Sequence, residues 1–262
     1  MAWKLPYPIL KVVIVLKVWG MSPPKVHITK VANLILLTSN DSKAQLYISR
    51  LQRIKKYRYG IEFRLTRLLN EYMFDQIGLN ESDVILDIGS NIGEVALALR
   101  QTYGVEEIYC FEPEDLEATC CDLNFFEGNR RTIRIALTDK TGEQDFFHAN
   151  ETGDSSLLPS AEKLKFSKVQ TSTLDDFLIS TNIKKITVMK LEAEGLEPEI
   201  LVGATKTLSI TRWVTADLGP ERGLRKESTF NAATAVLISQ NFELISSFPG
   251  SRETYLYKNM NY

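Results

Sequence analysis

Apolar positions along this chain alternate between short continuous runs and helical spacing, and the clearest change of period falls at residues 84–113. Val84, Ile85 and Leu86 form a strand-like run closed by Asp87; beyond Gly89 and Gly93, the spacing of Val95, Leu97, Ala98 and Leu99 is that of a helix. A second apolar run, 107–111, ends at Glu112 and is halted by Pro113. Strand, glycine loop, helix and strand in this order make a nucleotide-type crossover. The glycines supply positive φ angles and close backbone approach, and the new helix turns its free N–H groups towards an anion. A carboxylate at Glu112 lies beside the same crevice, where it can accept the two hydroxyls of a ribose.

Downstream the same alternation continues. It predicts a helix over 114–126, a third strand over 132–137, a β excursion over 144–149, a polar lid loop over 150–170, and a short helix opening at Leu174. A fourth strand over 186–191 follows, then a helix near Pro198, a fifth strand over 213–218, a helix over 230–240, and two last strands over 243–248 and 253–257 that read as a hairpin. Strands alternating with helices predict a parallel sheet, and a closing hairpin separates it from a dehydrogenase sheet. Gly89-Ser90-Asn91-Ile92-Gly93 also lacks the middle glycine that a dinucleotide pyrophosphate requires.

Upstream the pattern is weaker. Residues 1–60 show no long-range period and read as a basic N-terminal extension of unknown fold before a domain at 61–262. Within the extension, 42–59 has the spacing of an amphipathic basic helix with a solvated polar face, and the apolar positions from Phe63 to Ile77 mark a stronger helix that covers the sheet edge.

Charge sharpens that division. Residues 1–80 hold 13 Lys and Arg against 4 Asp and Glu, and the remainder hold 18 against 29, although the net charge is only −2. A basic leading segment can meet a membrane surface, a polyanion or the acidic face of its own body. The most apolar run, 9–19, is interrupted by Lys11 and Lys17 and is shorter than the roughly 20 residues of a spanning helix. Three cysteines without metal-ligand spacing read as buried hydrophobes of a reducing, cytoplasmic setting. With 262 residues and 44% hydrophobic content the chain can bury a substantial core.

Taken together, LDIGSNIG (86–93), FEPE (111–114), IALTDKTGEQDFF (135–147), GDSSL (153–157), TLDDF (173–177) and MKLEAEGLEPEILVGA (189–204) resemble the FkbM family of S-adenosylmethionine-dependent methyltransferases over residues 70–260. The resemblance implies a Rossmann-like methyltransferase fold: a mostly parallel seven-stranded sheet with helices on both faces and a C-terminal antiparallel hairpin. It implies S-adenosylmethionine as cofactor, with Asp87, Gly89, Asn91 and Gly93 around its methionine part and Asp87 towards the amino group. Glu112 takes the ribose hydroxyls beside Pro113, and Ala136 and Leu137 flank the adenine. The family pattern Lys-Ile-Asp-Val-Glu-Gly stands here as Lys190-Leu191-Glu192-Ala193-Glu194-Gly195. Strand alternation puts Lys190, Glu192 and Glu194 on one side, at the edge where an acceptor meets the methyl group, so Glu192 and Glu194 are the candidate proton acceptors. The implied reaction is O-methylation of a glycan, lipid or small metabolite. A non-catalytic S-adenosylmethionine-binding module and a nucleic-acid methyltransferase are the alternatives, the latter disfavoured by the acidic body and the missing Asn/Asp-Pro-Pro-Tyr pattern.

Overall fold

The fold is known from a computed structural model that describes residues 25–148, 155–158, 165–250 and 252–262. The apolar run 9–19 lies outside the described residues. Among those described, no helix is long and apolar enough to cross a membrane.

The element that positions everything else is a central sheet. Its strands are β4 (Val84–Ile88), β5 (Glu107–Phe111), β9 (Ile186–Leu191), β10 (Thr211–Asp217), β13 (Phe242–Ser247) and β14 (Thr254–Asn259), in the spatial order β13-β14-β10-β9-β4-β5. The four strands from β10 to β5 are parallel, whereas β14 runs antiparallel to both β10 and β13. Alternation along each strand divides the apolar residues between two cores. Ile85, Ile108, Val188 and Trp213 face one side, and Leu86, Met189, Val214 and Tyr257 face the other.

Helices cover both faces. On the first lie α1 (Ile61–Glu71), α2 (Glu94–Tyr103) and α3 (Asp115–Asn124); on the second lie α4 (Leu174–Ile179), α5 (Glu197–Val202), α6 (Thr205–Ser209) and α7 (Phe230–Ser239). Local chemistry sets several of their ends. Thr173 caps α4 by accepting the Asp176 N–H at 3.0 Å, and Pro198 sits in the first turn of α5, where its missing N–H costs nothing.

Among the described residues the central sheet has six strands rather than seven. The expected third strand touches β5 only through a bridge between Ile133 and Phe111. The cause is a set of polar anchors: Asp122 of α3 accepts the N–H groups of Arg131 and Thr132 and the Thr132 hydroxyl, and its carboxylate pairs with Arg134 at 2.7 Å. Held to α3, the chain moves on to β6 (Ala136–Leu137), which joins β8 (Lys165–Ser172) and β7 (Gly142–His148) in a separate small sheet. The end of the expected lid loop is therefore a strand, paired antiparallel with β7.

Upstream, an antiparallel sheet of β1 (Val26–Val31), β2 (Leu34–Ser39) and β3 (Gln45–Ile48) contributes Val26, Leu37, Leu46 and Ile48 to the same core as α1, α2 and α3. The amphipathic helix expected over 42–59 is instead strand β3 followed by a 3-10 helix, Leu51–Tyr57. Its polar face is not solvated throughout: Arg53 is buried. Asn124 fastens this region to the glycine loop, exchanging hydrogen bonds with the Tyr47 backbone at 2.7 and 2.9 Å and donating to the Ile92 carbonyl at 2.8 Å.

Candidate functional site

Beyond the carboxyl ends of β4, β5 and β9 lies an open cavity, about 970 Å³ when the solvent at its mouth is counted. Gly89, Ser90 and Asn91 form its floor. Gly89 has φ +70°, and a Cβ there would stand 1.8 Å from the Glu192 carbonyl oxygen, so only glycine lets the loop pass this close to the end of β9. Gly93, at φ +80°, leads into α2 and presses on Cys121 of α3.

Glu112 is 7% exposed and lines the cavity beside Pro113. Its two oxygens accept the backbone N–H groups of Asn91 at 3.0 Å and Glu114 at 2.8 Å. Each oxygen keeps a lone pair for a further donor. Burial pushes its pKa up to about 8, against the pull of these N–H groups and with the neighbouring Glu117 and Glu114 adding to the rise. Ala136, Leu137 and Phe146 supply an apolar wall next to it, and Ser155, Ser156 and Leu157 close over the same side.

Asp87 is not among the residues that line the cavity. Strand register sets it opposite Lys190 on β9 and opposite Cys110 on β5, beneath the Lys190 side chain that lines the cavity, and it is 0% exposed. The Lys190 ammonium stands 3.1 Å from its carboxylate and donates to the carbonyls of Ile88 and Gly89 at 3.1 and 2.8 Å. Burial raises the Asp87 pKa against the pull of Lys190, while Asp87 and Glu192 raise that of Lys190 in spite of its burial. The pair thus holds the glycine loop from behind, and Asp87 is a support for the loop rather than part of the cavity wall.

Glu192, by contrast, reaches the cavity and is fully engaged there. Its carboxylate accepts the Tyr72 hydroxyl at 2.5 Å and the Arg252 guanidinium at 2.5 Å, with Lys190 at 3.4 Å. Burial works against its charge, but Arg252 and Lys190 outweigh that and hold its pKa well below the usual range. Arg252 also meets Asp217 at 2.9 Å. Strand β9 ends at Leu191, so the alternation does not extend to Glu194, which has a left-handed backbone with φ 52° and lines the cavity from the following loop. Buried Glu197 shapes that loop by accepting the N–H groups of Ala193 and Gly195 at 2.8 and 3.2 Å.

Residues that the sequence pattern left in the extension or in a turn complete the wall. Arg53 and Arg64 each meet Glu94 at 2.9 Å, and Tyr57 donates its hydroxyl to the same carboxylate at 2.9 Å. Lys56, Arg64 and Arg252 border both this cavity and a second one, of about 920 Å³, whose other walls include Glu71, Asp217, Gly219 and Glu221. Burial, Asp217 and Glu192 together raise the Glu221 pKa to about 8. The excess of positive charge in residues 1–80 is the one sequence signal that anticipates this region. Among the described residues no group of three His, Cys, Asp or Glu side chains is arranged to hold a metal ion.

Comparison with known proteins bears on these residues. The chain is 26% identical over 224 residues to the 2-O-methyltransferase NoeI of Sinorhizobium fredii, an alignment covering 79% of this chain and 91% of that protein. Among solved structures it is similar to an FkbM methyltransferase from Methylobacillus flagellatus, with 16% identity and a TM-score of 0.48 over 79% of this chain; the match spans 53% of that protein, about half its length. A magnesium protoporphyrin IX methyltransferase from Synechocystis, solved with bound SAH, gives 11% identity and a TM-score of 0.45 over 79% of this chain and 86% of that one. The model of the methyltransferase FkbM domain matches residues 87–244, from the strand that carries the glycine loop to the closing hairpin, and the chain belongs to that family.

Proposed function

We propose that this chain is an S-adenosylmethionine-dependent O-methyltransferase acting on a hydroxyl of a glycan, lipid or small metabolite. The observation that carries the reading is the meeting of two cavities at Lys56, Arg64 and Arg252: one holds the glycine loop and Glu112, the other is lined mainly by charged side chains. A cofactor in the first and a hydroxylated acceptor in the second would face each other across that junction. Family membership supports methyl transfer, and the 2-O specificity in the name of one relative supports oxygen as the acceptor atom.

The residues present fit S-adenosylmethionine. Backbone contact at Gly89 leaves Gly89, Ser90 and Asn91 as a side-chain-poor floor, Glu112 retains lone pairs for the ribose hydroxyls, and Ala136, Leu137 and Phe146 offer an apolar wall to the adenine. When bound, the cofactor supplies a methyl group already activated by a sulfonium. The protein's part is then mostly alignment. Glu192, ionised and locked by Arg252, Tyr72 and Lys190, is a weak proton acceptor, and we assign it to positioning. Glu194 lines the first cavity. Glu221, on the acceptor side with a pKa near 8, is better matched to take the hydroxyl proton at neutral pH.

Two measurements test this. Incubation with S-adenosylmethionine and a library of sugars, lipids and hydroxylated metabolites should give a product heavier by one CH2 unit. Turnover of that acceptor should rise with pH through about 8, as Glu221 ionises, and Glu221→Gln should abolish the rise. An unchanged pH profile in that variant would remove Glu221 from proton transfer.

A further inference from the structure

The first cavity is lined by five cations among the described residues: Arg53, Lys56, Arg64, Lys190 and Arg252. Four of them are spoken for. Arg53 and Arg64 share Glu94 at 2.9 Å each, Lys190 is held by Asp87 at 3.1 Å and by two loop carbonyls, and Arg252 meets Glu192 at 2.5 Å and Asp217 at 2.9 Å. Lys56 alone makes no ion pair with any described residue. Its residue is exposed at the cavity rim, on the 3-10 helix Leu51–Tyr57, where partial desolvation of the ammonium and the nearby charges of Arg53 and Arg64 lower its pKa against the pull of Glu94 and Glu192. A cation at the cavity wall that makes no direct ion pair can receive an external anion.

The position of Lys56 says which anion. In the sheet order β10-β9-β4-β5, Glu112 follows β5, and the residues that share the second cavity with Lys56 (Asp217 and Gly219) follow β10. Lys56 therefore belongs to the β9–β10 side, remote from the ribose and adenine side. The part of S-adenosylmethionine remote from the adenosine is its amino acid, which carries a carboxylate.

We propose that Lys56 is the carboxylate-binding residue for the amino-acid part of the cofactor, so that the basic upstream segment completes the cofactor site. This rests on the proposed use of S-adenosylmethionine and adds to it a residue outside the family match, which begins at residue 87. A ligand carboxylate entering the cavity meets a cation that makes no direct ion pair, and the segment that carries it is anchored. Tyr57 and Arg53, on either side of Lys56, are buried on Glu94 at the start of α2.

The test is calorimetric titration of the full chain and of Lys56→Met with two probes. S-adenosylhomocysteine carries the carboxylate; 5′-methylthioadenosine keeps the adenosine and sulfur but has no amino acid. In Lys56→Met, S-adenosylhomocysteine affinity should fall by about 10- to 100-fold, the loss of one hydrogen bond between charged groups, with 5′-methylthioadenosine affinity changed by less than about twofold. Lys56→Arg should restore most of the lost affinity. Equal losses for both probes, or no loss for either, overturn the assignment while leaving the cofactor reading intact. Failure of the unaltered chain to bind S-adenosylhomocysteine would instead remove the cofactor reading on which the assignment stands.

Discussion

Glu112 and Glu192 stand just beyond strands on either side of β4, both line one cavity, and their carboxyls are driven in opposite directions. Glu112 is surrounded by backbone N–H groups and other carboxylates, so burial dominates and its pKa rises to about 8. Glu192 is less deeply set, its side chain 25% exposed, and an arginine, a lysine and a tyrosine hydroxyl reach it, so that its pKa falls well below the usual range. The difference lies chiefly in partners, since only Glu192 is met by cations. A carboxylate that keeps unused lone pairs and no cation is suited to receive hydroxyl groups from a ligand. One saturated by cations is suited to hold a wall in place.

The largest expected effect is on the saturated side. Arg252→Met would leave Glu192 and Asp217 without their shared cation, and loss of one member of a buried ion pair costs about 3–5 kcal/mol. Urea denaturation would read this as a lower midpoint with an unchanged slope. A change below about 1 kcal/mol would mean that the network is not what holds this wall.

On the other side, Glu112→Gln removes an acceptor of the ribose hydroxyls, which should weaken S-adenosylhomocysteine binding by about 0.5–1.5 kcal/mol where Glu112 is protonated and by about 1.5–3 kcal/mol above about pH 8, where it is ionised. The same variant has a pH signature. Because the folded pKa of Glu112 lies above its ordinary 4.5, its favourable contribution is complete below about 4.5 and is lost as the pH rises towards about 8. Stability of the unaltered chain should therefore decline across that window, and the variant should decline less. Parallel curves would show that Glu112 is ionised throughout.

The smallest effect is expected for Glu192→Gln. The amide oxygen still accepts from Arg252, its NH2 group can donate to the Tyr72 hydroxyl, and Asp217 still balances the guanidinium, so turnover should stay within about tenfold of the original. Loss of turnover by several orders of magnitude, with cofactor affinity preserved, would return Glu192 to the role of proton acceptor that strand alternation first suggested.

The two carboxylates also mark how far the sequence could be read. The Glu112 side is local: strand, glycine loop and helix are consecutive, their periods are strong, and β4, α2 and β5 fall where the pattern predicts them. The Glu192 side is assembled from distant pieces. Tyr72 ends α1, Arg252 lies between β13 and β14, and Asp217 ends β10; hydrogen bonds span 120 residues from Tyr72 to Glu192 and 180 from Tyr72 to Arg252. No local period encodes such a meeting. The same reason explains the corrected helix over 42–59, whose regular charge spacing reads as a solvated face until Glu94 and Glu117, far along the chain, supply the partners of Arg53 and Arg50. It explains the missing seventh strand as well, since Asp122 withdraws residues 131–134 from the sheet by side-chain bonds that an apolar pattern does not register.

Calorimetric titration of the unaltered chain with S-adenosylhomocysteine, S-adenosylmethionine and NAD tests the central claim most directly. Binding of S-adenosylhomocysteine at one site, competed by S-adenosylmethionine and with no response to NAD, is the predicted result. Tight NAD binding with no response to either sulfur compound would contradict it.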